Sequence, residues 1–343
     1  MKKKITIKDV AERLKVTIST VSRALHDHHT ISEKTKKLVR KMAEELNYSP
    51  NKIAASLRKG TGNTIGVIVP RINSNFHSNC IFGMESITDQ AGYNLIICQS
   101  NEDLQKEIHS VQTLIDSQVS GIIISLSNNT KNSTHIKKII DKEIPLVMYD
   151  RIDSSLNIDF IVNDDYSISK EAIKHFVNQG YRKIAILCAP THVYVYKNRL
   201  NGYLNSLKDL GVENKDEWIV TDVLSKEDAY IATKGIFNHK DCTSPDAIFC
   251  SSDMFALGAI QALKEMGLKI PEDVGIIGYG NDPFSELIKP SLTTIEQFPQ
   301  DVGANAAEIM IDLLTERKKT TKTHKKILIT PILIIRESSI KNL

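Results

Sequence analysis

The chain has 343 residues, of which 41% are hydrophobic and 25% charged, and its formal net charge at pH 7 is +3. This length predicts about two or three structural units with substantial cores. No segment approaches the roughly 18 uninterrupted apolar residues of a membrane-spanning helix, and the N-terminal MKKKITIKDV lacks the apolar middle of a secretory signal. These features exclude a membrane partner and predict a cytoplasmic protein.

Residues 6–46 have the apolar spacing of three short helices. Thr6 and Asp9 stand three residues apart, as in an N-terminal capping box, just before the first helix. Thr17 is placed to cap the second helix and Ser32 the third, with Lys36 expected on the outer face of the third. The apolar stripes are Ile7, Val10, Ala11 and Leu14 in the first helix, Val21, Ala24 and Leu25 in the second, and Leu38, Val39, Met42, Ala43 and Leu46 in the third.

The outer face of the second helix carries small hydroxyl side chains and one arginine, Ser19, Thr20, Ser22 and Arg23. Small residues let a helix approach the DNA backbone closely, and an arginine can donate two hydrogen bonds to a guanine edge. A solvated face on an ordinary three-helix bundle is the alternative. Charge favours DNA, because residues 1–60 contain 15 Lys and Arg against 6 Asp and Glu, which leaves the rest of the chain with a net charge of −6.

Three segments in order, DVAERLKVTISTVSRAL, SEKT and LNYSPNKIAASL, resemble the DNA-binding head of the lac/gal repressor family of bacterial transcription regulators. The resemblance implies a helix-turn-helix domain over residues 1–49 and a hinge helix and linker over 50–62. In it, Leu57 of each of two subunits would enter the minor groove of double-stranded operator DNA.

The same resemblance implies base contacts from Ile18, Ser19 and Arg23. It implies backbone contacts from Thr6, Thr17, Thr20, Ser22, Ser32, Tyr48 and Asn51, with Ala54 packing at the hinge. Core packing is the alternative for Ile18, which lies close to Val21 in the helical pattern. His26 stands where the family usually has Asn.

From Thr61 onward, short apolar runs alternate with helical stretches, the first of which is predicted near Gly83 to Ala91. The runs are TIGVIVP, YNLIICQ, GIIIS and PLVMYD, then RKIAILCA, WIVTDVL, DAIFCSS and VGIIGYG. Near-continuous apolar runs are typical of parallel strands covered on both faces, so they predict two doubly wound parallel sheets in two α/β lobes. Late segments of the chain are expected to cross back between the lobes and complete each of them. These segments are LTTIEQ, a helix over 302–314 and a strand pair over 327–335. The predicted body, residues 63–343, thus has an N-lobe of 63–163 plus 296–323 and a C-lobe of 164–295 plus 324–343.

Loops after the strands of two facing sheets line one cleft. This body resembles the periplasmic-binding-protein-like sensor of the same family, which implies a small polar effector, sugar-like or nucleobase-like. Carried over position by position, the resemblance implies effector contacts from Asn75, Phe76, Asp150, Arg151, Arg199, Leu224, Ser252, Asp253, Asn281, Asp282 and Phe298.

Each of these positions has a structural alternative. Asp150 and Arg151 could pair with each other, Phe76 and Leu224 could pack in the cleft wall, and Asp253 could cap the helix that begins there. Two departures from the family argue against a sugar grip identical to that of the lac or gal repressors. Gly280 stands where an Asp is common, and Ser252 stands where an Asn is often found.

Sequence motifs of catalysis and metal binding are absent. The chain has no G-x-G-x-x-G after its first strand, no G-x-x-x-x-G-K-[ST] and no G-x-S-x-G, and its five cysteines form no CxxC pair. We therefore expect buried thiols, no cofactor, no metal site and no enzyme activity.

The sequence predicts a ligand-responsive transcription regulator, a repressor that binds a near-palindromic operator as a homodimer, associated with the nucleoid when DNA-bound. Allosteric coupling would link cleft and operator, with either sign. The alternatives are a solute-binding protein for sugar uptake and a ligand-independent architectural DNA-binding protein.

Overall fold

A computed structural model describes residues 5–25, 27–46, 48, 62–238, 244–315 and 323–341. The chain divides into two compact units, Met1–Gly62 and Asn63–Leu343, which are called the head and the body below. Within the described ranges, no helix has both the length and the apolar content needed to span a bilayer.

Three helices form the described part of the head, α1 Ile7–Leu14, α2 Ile18–Leu25 and α3 Glu33–Glu45. The predicted capping box is present, because the backbone N–H and the hydroxyl of Thr6 both donate to Asp9 Oδ2, at 2.7 and 2.6 Å. Thr17 Oγ1 accepts from the N–H of Thr20 at 3.2 Å and so caps α2. Ser32 caps α3 in the same way.

The core of the head is formed by one small set of apolar side chains from all three helices, Val10, Ala11, Val21, Ala24 and Val39. Two predictions for α3 are wrong. Leu38 is 55% exposed, whereas Lys36 is buried and its Nζ donates to Glu33 at 2.7 Å. The face of α3 that meets the other helices follows Lys36, Val39 and Ala43, at i, i+3 and i+7, which leaves Leu38 outside.

The body alternates strands and helices. Its described strands are β1 Thr64–Val69, β2 Asn94–Gln99, β3 Gly121–Ile124, β4 Leu146–Tyr149, β5 Asp159–Asn163, β6 Ile184–Leu187, β7 Ile219–Val220, β8 Ala247–Cys250, β9 Gly275–Ile277, β10 Thr294–Glu296, β11 Lys326–Ile329 and β12 Ile332–Ile334. Its described helices are α4 Asn75–Gln90, α5 Leu104–Asp116, α6 Thr134–Asp141, α7 Asp165–Asn178, α8 Tyr194–Asp209, α9 Lys226–Phe237, α10 Asp253–Glu265 and α11 Pro299–Thr315.

Two parallel sheets confirm the predicted fold class. The N-lobe sheet has the order β11-β5-β4-β3-β1-β2, and the C-lobe sheet has the order β7-β6-β8-β9. Apolar cores lie on both faces of each sheet. A short antiparallel pair, β10 and β12, joins the chain segments that pass between the lobes. The carboxyl ends of the strands therefore carry the loops in which the predicted cleft residues lie.

The structure differs from the sequence prediction at several elements. Strand β5 and helix α7 were not predicted, and α4 begins at Asn75 instead of near Gly83. Strand β11 pairs with β5 in the N-lobe sheet, so residues 326–329 belong to the N-lobe and not to the C-lobe. Strand β2 forms an edge of its sheet, and its Ile96 and Ile97 are exposed instead of buried on both faces.

Helix α4, which carries Asn75 and Phe76, is held tightly against α11. A Cβ added to Gly83 would lie 2.1 Å from the Gln300 carbonyl oxygen, and one added to Gly303 would lie 1.9 Å from the Cys80 carbonyl oxygen. Only glycine permits helix backbones to approach so closely. The N-terminus of α4 is thereby fixed at the edge of the N-lobe.

Candidate functional site

The first candidate surface is the outer face of α2 in the head. Ile18 is 42% exposed, so the structure places it on this face and not in the core. Ser19 and Arg23 are exposed beside it, and Thr17 Oγ1 lies 2.8 Å from the hydroxyls of both Ser19 and Thr20. Among the residues that the structure describes, the Arg23 guanidinium has no hydrogen-bond partner, so its donors face solvent.

The other predicted DNA contacts fall into three groups. Thr6 and Ser32 are exposed helix caps, so their hydroxyls lie at the surface where the first turn begins. Ser22 and Tyr48 are half-buried at the edge of the head core. The hinge predictions lie outside the described residues, as does His26, and they comprise Asn51, Ala54 and Leu57.

The second candidate site is a cavity of about 480 Å³ between the two lobes of the body. It lies at the carboxyl ends of the parallel strands, where α/β sheets present ligand-binding loops. Seven of the predicted effector contacts line it, Asn75, Phe76, Asp150, Arg151, Arg199, Ser252 and Asp282. Aromatic side chains that were not predicted complete the wall, Tyr196, Tyr279 and Phe284.

The four remaining predicted contacts are not among the lining residues. Leu224 is 54% exposed, and Phe298 donates its backbone N–H to Glu296 at 2.7 Å. The Asn281 amide is held between Glu296, at 2.7 Å, and Arg336, at 2.9 Å. Local hydrogen bonding thus engages the polar groups of Asn281 and Phe298 outside the cavity.

Asp253 is fully buried behind the cavity wall. Its carboxylate accepts from the Thr294 hydroxyl at 2.6 Å and from the backbone N–H of Asp282 at 2.7 Å. The capping alternative for Asp253 is wrong, because Ser252 caps α10 and accepts from the N–H of Met254. Burial raises the pKa of Asp253 to about 7, against the lowering effect of the Thr294 hydrogen bond. Asp253 therefore fixes the loop that carries Asp282.

Arg199 is fixed by a buried partner on the unpredicted helix α7. Its Nε donates to Asp165 Oδ1 at 2.8 Å, and its Nη1 donates to the Ser251 carbonyl at 2.8 Å. The guanidinium also stacks on the Tyr279 ring at 3.5 Å. Within the described ranges Nη2 has no protein acceptor, so one edge of the guanidinium remains for a ligand.

Arg151 joins the two lobes. Its Nη1 donates to both carboxylate oxygens of Glu102 at 2.9 and 3.0 Å, and its Nη2 donates to the hydroxyl of Tyr196 in the C-lobe at 3.1 Å. The neighbouring Asp150 is farther away, at 3.8 Å. The main partner of Arg151 is therefore Glu102, which was not predicted, and the alternative Asp150–Arg151 ion pair is present as a longer contact.

Asp150 presents a buried carboxylate to the cavity. Burial raises its pKa to about 6, despite the nearby positive charges of Arg151 and Arg199. Its backbone has a left-handed φ of 56°, which is uncommon for a residue other than glycine and is often found at functional sites. In the described part of the chain, no protein group donates a hydrogen bond to this carboxylate, so a ligand hydroxyl or N–H would fill that role.

Contacts between the lobes close the cavity. Asn75 of the N-lobe donates to the Asp282 side chain of the C-lobe, and burial nevertheless raises the pKa of Asp282. His77 lies in the N-lobe wall, where burial lowers its pKa well below the usual value and Arg151 adds to the effect. The cavity thus offers a carboxylate acceptor, a guanidinium donor and aromatic rings. The described residues contain no cluster of His, Cys, Asp and Glu arranged for a metal ion.

Known protein families match both the head and the body of this chain. Residues 6–51 match the family model for bacterial regulatory proteins, lacI family, and residues 173–339 match that for a periplasmic binding protein-like domain. The HTH-type transcriptional repressor PurR of Vibrio vulnificus is 32% identical over 335 residues, which cover 97% of this chain and 98% of that protein. PurR of Haemophilus influenzae is 31% identical over 333 residues, which cover 97% and 98%.

Solved structures share the fold. The lac repressor dimer bound to operator and the anti-inducer ONPF superposes with a TM-score of 0.85 at 24% identity, covering 98% of this chain and 100% of that one. The transcriptional regulator CelR in complex with cellobiose has a TM-score of 0.74 at 21% identity, covering 97% and 99%.

Proposed function

The chain belongs to the lacI family of bacterial regulatory proteins, and we propose that it is a cytoplasmic transcriptional repressor whose affinity for operator DNA is set by a small polar effector in the interlobe cavity. It is a sequence-specific DNA-binding regulator and, in this proposal, not an enzyme. The observation that carries the proposal is the pairing of an exposed reading face on α2 with a polar cavity in a separate unit of the same chain.

The reading face suits a major groove. Ile18 supplies an apolar contact for a thymine methyl group, and the Arg23 guanidinium supplies a paired donor for guanine. Thr17 and Ser32 place exposed hydroxyls at the N-termini of α2 and α3, where backbone N–H groups and the helix dipole favour phosphate. We assign base reading to Ile18, Ser19 and Arg23, and phosphate contact to the capping residues.

The cavity suits a ligand that has both hydrogen-bond donors and acceptors. Asp150 accepts, Arg199 Nη2 donates, and the rings of Phe76 and Tyr196 offer apolar faces. Sugar-like and nucleobase-like molecules combine these properties. Gly280 has a φ of 130° and contributes no side chain, so Asp282 supplies the carboxylate at this edge of the cavity.

Two-fold assembly supplies the second reading head. The N-lobe has exposed apolar residues on α4 and on the same side of the edge strand β2, with Phe82 at 60% and Ile97 at 41% exposure. A second copy would bury this patch, and a dimer of two heads requires an operator with two related half-sites. Because both copies hold one operator, an effector that changes the arrangement of the lobes changes operator affinity reciprocally.

Selection from random duplexes tests the DNA-binding part of the proposal. The purified chain should enrich a near-palindromic site, and its affinity should fall steeply as salt rises because phosphate contacts release counterions. Leu57→Ala should lose specific affinity with less change in non-specific binding. Enrichment of no sequence above bulk genomic competitor would refute the assignment of the head.

A thermal-shift screen of sugars and nucleobases tests the cavity. A true effector should raise the melting temperature of the parent and change its operator affinity, and Asp150→Asn should weaken both effects. The control is Asp116→Asn, which changes an exposed carboxylate on α5 outside the cavity. A response that Asp150→Asn leaves intact would remove this residue from the site.

A further inference from the structure

A second cavity, of about 290 Å³, lies beside the interlobe cavity and shares only Arg151 with it. We call it the outer cavity. Its N-lobe wall comprises residues 126–127, 130–133 and 151–154, and its C-lobe wall comprises residues 192–194 and 197–198. Both lobes therefore contribute side chains to one pocket, which is partly open to solvent and which, apart from Arg151, the effector proposal does not use.

The N-lobe wall is held rigidly by a buried carboxylate. Glu107 is fully buried and accepts from the N–H of Ser127 at 2.6 Å and from the hydroxyl of Thr130 at 2.8 Å. His135 Nε2 lies 2.7 Å from the same carboxylate. A wall whose polar groups are fixed in advance loses little conformational entropy when a ligand binds.

The C-lobe closes the outer cavity through a direct contact. His192 Nε2 lies 2.6 Å from the carbonyl oxygen of Asn128, in the loop that forms the opposite wall. The backbone N–H of Asn128 donates in turn to Glu102 at 2.7 Å, and Glu102 holds Arg151. A continuous chain of contacts thus links the wall of the outer cavity to an arginine of the effector cavity.

Two lysines of the lining carry positive charge that no carboxylate of the described residues pairs with. Lys131 from the N-lobe and Lys197 from the C-lobe are exposed to the cavity, and in the described ranges neither ammonium group has a carboxylate partner. Arg151, in contrast, is only 9% exposed, and its charge is already paired with Glu102 and Asp150. The one carboxylate in the wall, Asp153, is already engaged by Ser133 and by Ser155, whose N–H donates at 2.9 Å.

Neutral donors surround these cations. The wall contains the hydroxyl and amide side chains of Ser127, Asn132, Ser154 and Tyr194. Thr130, Ser133 and Asn198 also line it, but they already donate to Glu107, to Asp153 and to the Tyr194 carbonyl oxygen. Flexible ammonium groups and hydroxyl donors that converge on one space are the chemistry that binds phosphate oxygens. The volume accommodates a phosphate group together with part of a small hydroxylated carrier.

We propose that the outer cavity binds an oxyanion of the phosphate class, held by Lys131 of one lobe and Lys197 of the other. An anion shared between the lobes favours their closed arrangement, because its contacts to both walls exist only when the walls are close. Arg151 and Glu102 connect the outer cavity to the effector cavity, so anion binding and effector binding both depend on the same closure of the lobes. The anion is either free phosphate or the phosphate group of a small molecule.

Calorimetric titration of the full chain with inorganic phosphate tests the site, with chloride at equal ionic strength as the reference. We expect saturable binding to the parent, and affinity about tenfold weaker for Lys131→Gln and for Lys197→Gln, since each loses one charge-assisted contact. The matched controls are Lys138→Gln, exposed on α6 outside the cavity, and Lys208→Gln, exposed on the same helix as Lys197.

The outcomes separate cleanly. The absence of saturable heat beyond the chloride reference would overturn the proposal. So would a loss of phosphate affinity in Lys138→Gln and Lys208→Gln that is as large as the loss in Lys131→Gln and Lys197→Gln. A phosphate-dependent rise in melting temperature that persists in the Lys131→Gln, Lys197→Gln double variant would also overturn it. Melting temperatures without phosphate identify a variant that has merely failed to fold, and in that case Lys131→Arg and Lys197→Arg provide the test by retaining the charge.

A panel of hexose monophosphates and the matching free hexoses distinguishes the two sources of the anion. Tighter binding of a monophosphate than of inorganic phosphate assigns the site to a phosphorylated small molecule, and equal binding assigns it to free phosphate. Operator selection on the same protein samples keeps this proposal separate from the proposed function. Loss of phosphate binding with intact operator selection would remove the outer site alone.

Discussion

Arg23 in the head and Arg199 in the body are both central to the proposed function, but the fold uses them differently. Arg23 is exposed, and its guanidinium makes no contact that the fold needs within the described residues. Arg199 is 5% exposed and neutralises the buried Asp165. A surface arginine is available entirely for recognition, whereas a buried arginine is also part of the stability of its unit.

The same contrast extends to the surroundings of each arginine. The neighbours of Arg23 on α2 are small hydroxyl residues that cap a helix and stay at the surface. The floor of the interlobe cavity instead packs two arginines against Asp150, Asp165 and Glu102. Substitution of Arg23 should therefore change binding with little effect on folding, and substitution of the buried cavity charges should change binding and folding together.

The largest effect is expected for Arg199→Ala. Removing the guanidinium leaves Asp165 buried without its partner, which should lower the free energy of unfolding by about 3 to 5 kcal/mol. Urea unfolding measures the loss. Arg71→Ala is the matched control, because Arg71 lines the same cavity but is exposed. If Arg199→Ala unfolds at the urea concentration of Arg71→Ala, the buried pair does not stabilise the body.

Acidification should stabilise the body. The folded pKa is about 7 for Asp253 and about 6 for Asp150, and burial raises both above the unfolded value of 3.8. A carboxyl whose pKa is raised by folding binds its proton more tightly in the folded state, so stability rises as pH falls from about 7 towards 4. At roughly 1.4 kcal/mol per unit of pKa, the gain is on the order of 3 to 4 kcal/mol for each of the two carboxyls.

Urea unfolding at several pH values measures this slope. Asp253→Asn should remove most of the dependence of stability on pH. Asp116 is an exposed carboxylate on α5, and Asp116→Asn should leave that dependence unchanged. The buried His77, whose pKa is lowered by folding, contributes a slope of the opposite sign, so the comparison of parent and variant decides the result. Equal slopes in the parent and in Asp253→Asn would show that Asp253 gains no proton on folding.

Local sequence patterns predicted the head and the strands but not the ion pairs of the cavity. Apolar spacing and capping residues report on neighbours within four positions, which is why Thr6, Thr17 and Ser32 were placed correctly. Arg199 and Asp165 are 34 positions apart, and Arg151 and Glu102 are 49 apart. Only the sheet topology brings such residues together, so a charged residue after a strand is predictable as a cavity residue while its partner is not.

The missed elements have a similar cause. Helix α7 mixes polar and charged residues on its first turns, and α4 begins with NFHSNC, so neither start shows a clear apolar stripe. Helix α4 nevertheless begins at Asn75, and it packs closely on α11, where Gly83 faces Gln300 and Gly303 faces Cys80. Because α7 was not predicted, Asp165 was not identified as the buried partner of Arg199, and the structural role of Arg199 was not predicted either.

Arg23→Ala tests the head side of the contrast. It should weaken operator binding by about 1 to 3 kcal/mol, most strongly at one base position, without changing the melting temperature. Arg23→Lys separates charge from geometry, because lysine keeps the positive charge but lacks the paired donors of the guanidinium. Retained base preference in Arg23→Lys would indicate that Arg23 contacts phosphate and not a base edge.

The smallest effect is expected for Ile18→Ala, which separates surface from core within one helix. Ile18 is 42% exposed and Val21 is fully buried, although they lie only three residues apart on α2. Ile18→Ala should cost less than about 1 kcal/mol of stability and weaken operator binding up to about tenfold, whereas Val21→Ala should destabilise the head by roughly 1 to 3 kcal/mol. Heat denaturation and operator titration of both variants provide the comparison. Equal destabilisation would mean that Ile18 belongs to the core, and α2 would then present only its hydroxyls and Arg23 to DNA.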